Sequence, residues 1–170
     1  MNLEISAELE ELRRALRRFT TGRLEPLARE IDRTGEVPQA VIEVLRAHDS
    51  LGKRLPAEFG GGGHDLPTFC LTLEEFGRSH RVFTLLLDAT SGLNPIAIAQ
   101  FGTDRQKEKY LAGLVNGSLK AAFALTKPDA GSDSQAIRSR AERQDGGRRL
   151  TGRKHYISGG DVADVVLVMG

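Results

Sequence analysis

The chain has 170 residues, with 24 Lys and Arg against 23 Asp and Glu, a net charge of +1, and 39% hydrophobic residues. That size can bury a core, and the balanced charge gives no basis for bulk attraction to nucleic acid or an anionic membrane. Cys70 is the single cysteine, which excludes an intramolecular disulfide; with no apolar run of leader length at the N-terminus and no stretch expected to span a bilayer, a soluble, cytoplasmic protein is expected.

After Ser6, Leu9, Leu12, Leu16 and Phe19 recur at steps of three and four, predicting an amphipathic helix with Ser6 as its N-cap. Arg13, Arg14, Arg17 and Arg18, preceded by Glu8, Glu10 and Glu11, read as its solvated face. Gly22 and Pro26 interrupt the pattern and Leu24, Leu27 and Ile31 resume it, so a bend or restart is expected before Gly35 ends the helix. Pro38 suits a first helical position, and Val41, Ile42 and Leu45 mark a short helix reaching about Asp49.

Residues 55–59 and the four glycines 60–63 predict a turn and a flexible connector. The Lys-Ser or Lys-Thr that would complete a phosphate loop is missing there. Pro67 opens a helix that buries Phe69, Leu73 and Phe76, and helices over 82–89 and 95–101 follow. Thr103 and Gln106 form a capping box at the head of a helix that stops near Gly117.

Beyond Gly117 the period changes. Residues 119–125 form a short apolar run fit for a strand, 136–143 and 148–158 flank a Gly146-Gly147 turn, and 162–169 form a further strand. The expected class is α+β: an N-terminal helical bundle over residues 1–117, followed by an incomplete antiparallel β-domain over 118–170. The apolar run 165–169 would leave an unpaired edge, so more chain or a partner is expected against it.

His48, His64, His80 and His155 lack metal-site spacing, and no serine stands in a nucleophile elbow. The informative stretch is Phe123-Ala124-Leu125-Thr126-Lys127-Pro128-Asp129-Ala130-Gly131-Ser132-Asp133. A strand delivers Thr126 at its end, Pro128 and Gly131 force a turn, and Ser132 with free amides can point donors at an anion. On the residues themselves this is either a cofactor edge or an ordinary strand-end turn.

The same stretch closely resembles the signature of the acyl-CoA dehydrogenases, a strand running into Thr-Glu-Pro, a variable residue and Ala-Gly-Ser-Asp. Leu55 to Gly61 resembles that family's proline, acidic, aromatic, double-glycine turn, and Leu73 to Arg78 the helix after it. Phe101 to Leu111 resembles the last helix before the β-domain. Gly152, Lys154, Tyr156, Ile157, Ser158, Gly160 and Ala163 resemble a second flavin-contacting strand.

The resemblance implies FAD as cofactor, held by Phe123, Leu125, Thr126, Gly131, Ser132, Tyr156, Ile157 and Ser158, with Ser132 also touching the acyl-CoA substrate. It implies α,β-dehydrogenation of an acyl-CoA thioester in fatty acid metabolism, electrons leaving to an electron-transferring flavoprotein, and a homo-oligomer when full length. The family's base is a glutamate of a C-terminal helical domain, so no catalytic residue is assigned in this chain; Glu74, Glu75 and Glu108 are expected as solvated helix carboxylates. Lys127 departs from the signature's glutamate. Tyr156 and Ser158 stand where tryptophan and threonine are common. An acyl-CoA oxidase or flavin monooxygenase, and a non-catalytic short homologue that binds acyl-CoA or a partner, are the alternative expectations.

Overall fold

The computed structural model describes residues 5–128 and 131–170, so Asp129 and Ala130 of the signature turn lie outside the described residues. The chain divides into two compact units, one ending at Ser118 and the other spanning Leu119–Gly170.

In the helical unit, α1 (Ala7–Phe19) starts where Ser6 accepts a hydrogen bond from the Leu9 amide at 3.3 Å. The interruption expected at Gly22 and Pro26 is a π-turn, Thr20–Leu24, which runs directly into α2 (Glu25–Thr34). Gly35 closes α2 at φ 73°, a left-handed conformation that costs glycine little. Pro38 precedes α3 (Gln39–Ala47) as its cap, one position earlier than expected. Asp65 caps α4 (Leu66–Gly77) by accepting from the Thr68 amide at 3.0 Å. After α5 (Arg81–Ser91) and α6 (Leu93–Phe101), the Thr103–Gln106 capping box opens α7 (Asp104–Val115), with both reciprocal bonds formed at 3.3 and 2.8 Å.

Leu16, Leu24, Val41, Leu45, Phe76, Phe83 and Leu87 meet in one core and are all essentially inaccessible. Each such side chain contributes about 1.5–3 kcal/mol relative to exposure. The expectation that no run reaches bilayer length is corrected by the 21-residue segment Arg81–Phe101, which contains an 18-residue stretch of mean hydropathy 1.4. Here Gly92 breaks it into α5 and α6, and Phe83, Leu87 and Ile98 are buried within the unit.

The glycines 60–63 are not a loose connector either. Gly61, Gly62 and Gly63 donate backbone hydrogen bonds to the carbonyls of Pro56, Gly52 and Leu55 at 3.1, 3.1 and 2.8 Å. At Gly61 a Cβ would run into the Leu55 carbonyl. Glycine is required there by close backbone approach, not by mobility.

The second unit holds four short strands, β1 (Ala121–Ala124), β2 (Arg140–Gln144), β3 (Gly147–Thr151) and β4 (Val165–Val168). β2 and β3 form the expected antiparallel hairpin, with Gln144 opposite Gly147 and the turn made possible by Gly146 at φ 84°. β1 and β4 depart from the all-antiparallel expectation. They pair in parallel, Ala121 to Val165 through Ala124 to Val168. Among the described residues no α-helix lies between them, so the unit is not a βαβ repeat and the α+β class stands.

Candidate functional site

The site is built where β1 ends. Past Ala124 the chain leaves the ladder through Leu125 and Thr126, both half-buried, and the second matched segment is tied alongside it. The His155 amide donates to the Thr126 carbonyl at 2.9 Å, and Lys154 Nζ donates to the Leu125 carbonyl at 3.0 Å. Two stretches nearly thirty residues apart are thereby joined edge to edge.

The next residue, Tyr156, has φ 56° and is 93% exposed. A bulky side chain in the left-handed region is rare and costs about 1–2 kcal/mol, which surrounding structure must offset. The backbone thus turns the ring outward, with the His155 ring edge-on to it at 5.8 Å. Ile157 is half-buried and Ser158 exposed.

Phe123 lies half-buried in β1, opposite Leu167. Gly131 and Ser132 are exposed; the Ser132 carbonyl accepts from the Ser134 amide at 3.1 Å, and the Asp133 carboxylate caps the following turn through the Gln135 amide. No hydrogen bond among the described residues joins Ser132 to Thr126 or Tyr156. The structure therefore assembles Thr126 with the 154–158 segment and places Ser132 on a separate turn of the same unit. The hydroxyls of Thr126, Ser132 and Ser158 have no hydrogen-bond partner among the described residues. The uncommitted hydroxyls of Thr126 and Ser158, on two segments tied together next to an outward aromatic ring, suit a planar group with a polar edge.

Two charged residues behave differently from the sequence reading. Glu75, expected as a solvated carboxylate, has no exposed surface. Arg17 grips it bidentately, Nη2 to Oε1 at 2.7 Å and Nε to Oε2 at 3.0 Å, while Arg78 and Arg13 lie at 3.7 and 3.9 Å. The Arg17 hydrogen bond holds the carboxyl below the usual glutamate range despite burial. Arg13 and Arg17 are accordingly not a purely solvated face. Glu75 follows the buried Leu71 and Thr72 by four and three residues, and that spacing was the available signal.

The second is Lys127, which is 6% exposed with its Nζ unpartnered among the described residues. Lys154 beside it is held below the usual lysine range by desolvation and then by the Lys127 charge.

Residues 6–118 match the family described as acyl-CoA dehydrogenase, N-terminal domain. The chain is 35% identical over 159 residues to the 3-(aryl)acrylate reductase of Clostridium sporogenes, covering 94% of this chain and 42% of that protein. It is 30% identical over 165 residues to an acyl-CoA dehydrogenase of Bacillus subtilis, covering 97% of this chain and 44% of that one. Among solved structures, a glutaryl-CoA dehydrogenase from Mycobacterium smegmatis in complex with FADH2 superposes with a TM-score of 0.87 at 26% identity, covering 96% of this chain and 42% of that one. The chain thus spans less than half the length of the proteins it matches.

Proposed function

Because the chain belongs to the acyl-CoA dehydrogenase family, we propose that it supplies the cofactor-orienting part of a FAD enzyme that dehydrogenates acyl-CoA thioesters between Cα and Cβ. The observation that carries this is the tie between Thr126 and His155 at 2.9 Å, which joins both matched segments and leaves their hydroxyls and Tyr156 free to receive a ligand.

When bound, FAD supplies the acceptor for the β-hydrogen, taken as hydride at N5. In this reading Thr126 and neighbouring amides donate to the polar edge of the ring, where negative charge grows on reduction, and fixed donors stabilise that charge without reorganising. Ser158 donates near N5. Tyr156 covers the ring, an aromatic contact worth about 0.5–1.5 kcal/mol beyond burial. Phe123, Leu125 and Ile157 back these donors, and Gly131 with Ser132 forms the turn that touches flavin and the acyl-CoA substrate. The α-proton goes to a carboxylate that the family carries in a C-terminal helical domain, and no residue here is assigned that role.

Electron transfer to an electron-transferring flavoprotein, a homo-oligomeric assembly, a cytoplasmic location and a place in fatty acid metabolism belong to the same reading. The C. sporogenes relative's name, 3-(aryl)acrylate reductase, favours as a second reading the reverse direction, saturation of an α,β-double bond over the same residues.

The test is a flavin titration on the full-length gene product with Thr126→Ala and Ser158→Ala. Loss of one neutral hydrogen bond, about 0.5–1.5 kcal/mol, predicts roughly two- to twelvefold weaker FAD binding or a shifted potential with the fold intact. Unchanged affinity and potential in both variants would remove these hydroxyls from the site.

A further inference from the structure

β1 changes partner where it ends. The Ala124 carbonyl accepts from the Met169 amide, just past β4, at 3.1 Å, whereas the Thr126 carbonyl accepts from the His155 amide at 2.9 Å. Leu125 lies between the two partners. Among the described residues no backbone amide donates to its carbonyl, which accepts instead from Lys154 Nζ at 3.0 Å. Leu125 is half-buried, so a carbonyl left there without a donor would be costly, and an ammonium supplies a charge-assisted bond, stronger than one from an amide.

Consecutive residues of the second segment therefore hold consecutive carbonyls of the first. A single bond from the His155 amide would let the segments swing about it, and the bond from Lys154 removes that freedom. Burial, and then the Lys127 charge, lower the proton affinity of Lys154. Among the described residues the Leu125 carbonyl is what offsets the cost of placing the ammonium there. Two positions on, Tyr156 is held at φ 56°, a conformation that persists only where neighbouring contacts over-determine it. The Lys154 bond, the His155 amide bond and the edge-on His155 ring supply such contacts on its N-terminal side.

We propose that Lys154 is a positioning residue for the flavin: by its hydrogen bond to the Leu125 carbonyl it fixes Thr126 against Tyr156 and Ser158, so that both sets of groups reach one ring together. This rests on the assignment of Thr126 and Ser158 to the flavin. Lys154 acts through them and is given no contact with the ring. Its contribution exists only while both segments engage the cofactor, because once either contact is lost their mutual orientation no longer matters.

The experiment is a double-mutant cycle on the full-length gene product, with Lys154→Met, Thr126→Ala and the two combined, read by FAD titration and by the reduction potential of the flavin at saturation. Lys154→Met is expected to weaken FAD about tenfold and to move the potential in the same direction as Thr126→Ala. In the Thr126→Ala background it is expected to add less than about twofold. A loss of affinity with the potential unchanged marks a role in stability alone and overturns the proposal, as do losses that multiply across the cycle. If Thr126→Ala and Ser158→Ala both leave affinity and potential unchanged, the flavin assignment fails and the proposal with it; if they do not and Lys154→Met is silent, the proposal alone fails. Circular dichroism checks that Lys154→Met folds; if it does not, Lys154→Gln, a shorter and uncharged donor, takes its place in the cycle under the same outcomes.

Discussion

Glu75 is inaccessible and bound through both carboxylate oxygens by Arg17, so Glu75→Ala removes the anion that three arginines surround. Breaking a buried pair is costly, but Arg17 can turn to water, so a loss of about 2–3 kcal/mol in urea denaturation is expected. The pH sign follows from the carboxyl lying below its ordinary value of 4.5. Its contribution is complete above the unfolded-state value and is lost as pH falls through the folded-state one. The stability advantage of wild type over Glu75→Gln is therefore expected to be flat near neutrality and to shrink below pH 4.5. An advantage that grew on acidification would refute the assignment. At Tyr156, replacement by glycine relieves a left-handed φ but adds about 0.5–1 kcal/mol of unfolded-state entropy, so near-zero change in stability with weakened flavin binding is predicted. Tyr156→Trp is expected to retain binding, and a variant pair behaving alike toward flavin would argue against the ring contact. These aromatic and hydroxyl positions are proposed from a motif that names them by order along the chain. The burial of Lys127 was not legible in the sequence, because depth depends on residues distant along the chain that pack around it.

Two glycines of the helical unit predict opposite outcomes. Gly92 separates α5 from α6, and a Cβ there would collide with the carboxyl and carbonyl of Asp88. Gly92→Ala is expected to cost about 1–3 kcal/mol by thermal unfolding. Gly22 has open space where a Cβ would go, so Gly22→Ala is expected to be neutral or to stabilise by up to about 1 kcal/mol. Equal effects from the two substitutions would show that backbone propensity, not contact, governs both. Helices α1 to α7 were legible because caps and apolar spacing are local: Ser6, Gly35 and the Thr103–Gln106 pair act within one turn of themselves. The β2–β3 pairing was legible for the same reason, through the Gly146 turn. The direction of β4 against β1 was not, since four apolar residues read the same either way and the long connection between them carries no turn signal.

Burial is distributed unequally between the units. The helical unit has a continuous core from Leu16 to Leu87, while every residue of β2 and β3 is exposed. Amide exchange is therefore expected to be slowest in α1, α4 and α5 and fast throughout β2 and β3. Comparable protection in the hairpin and in α4 would contradict this. The switch from helix to strand was visible as a change of hydrophobic period, whereas the unequal burial was not, because alternating apolar residues do not say what lies against them. The π-turn has a consequence for chain length. Leu16, Thr20, Leu24 and Ala28 are all buried at steps of four, a spacing that in an ordinary α-helix drifts by about 40° per step and about 120° in total. The wider turn over Thr20–Leu24 takes up that drift and keeps the four on one side. Deleting one residue within it would let the backbone close into regular helix with its hydrogen bonds intact, yet would rotate Ala28 and Ile31 by about 100° away from the core. The segment thus works as a phase correction, so that losing chemically featureless Gly22 should be more damaging than replacing it with almost anything else.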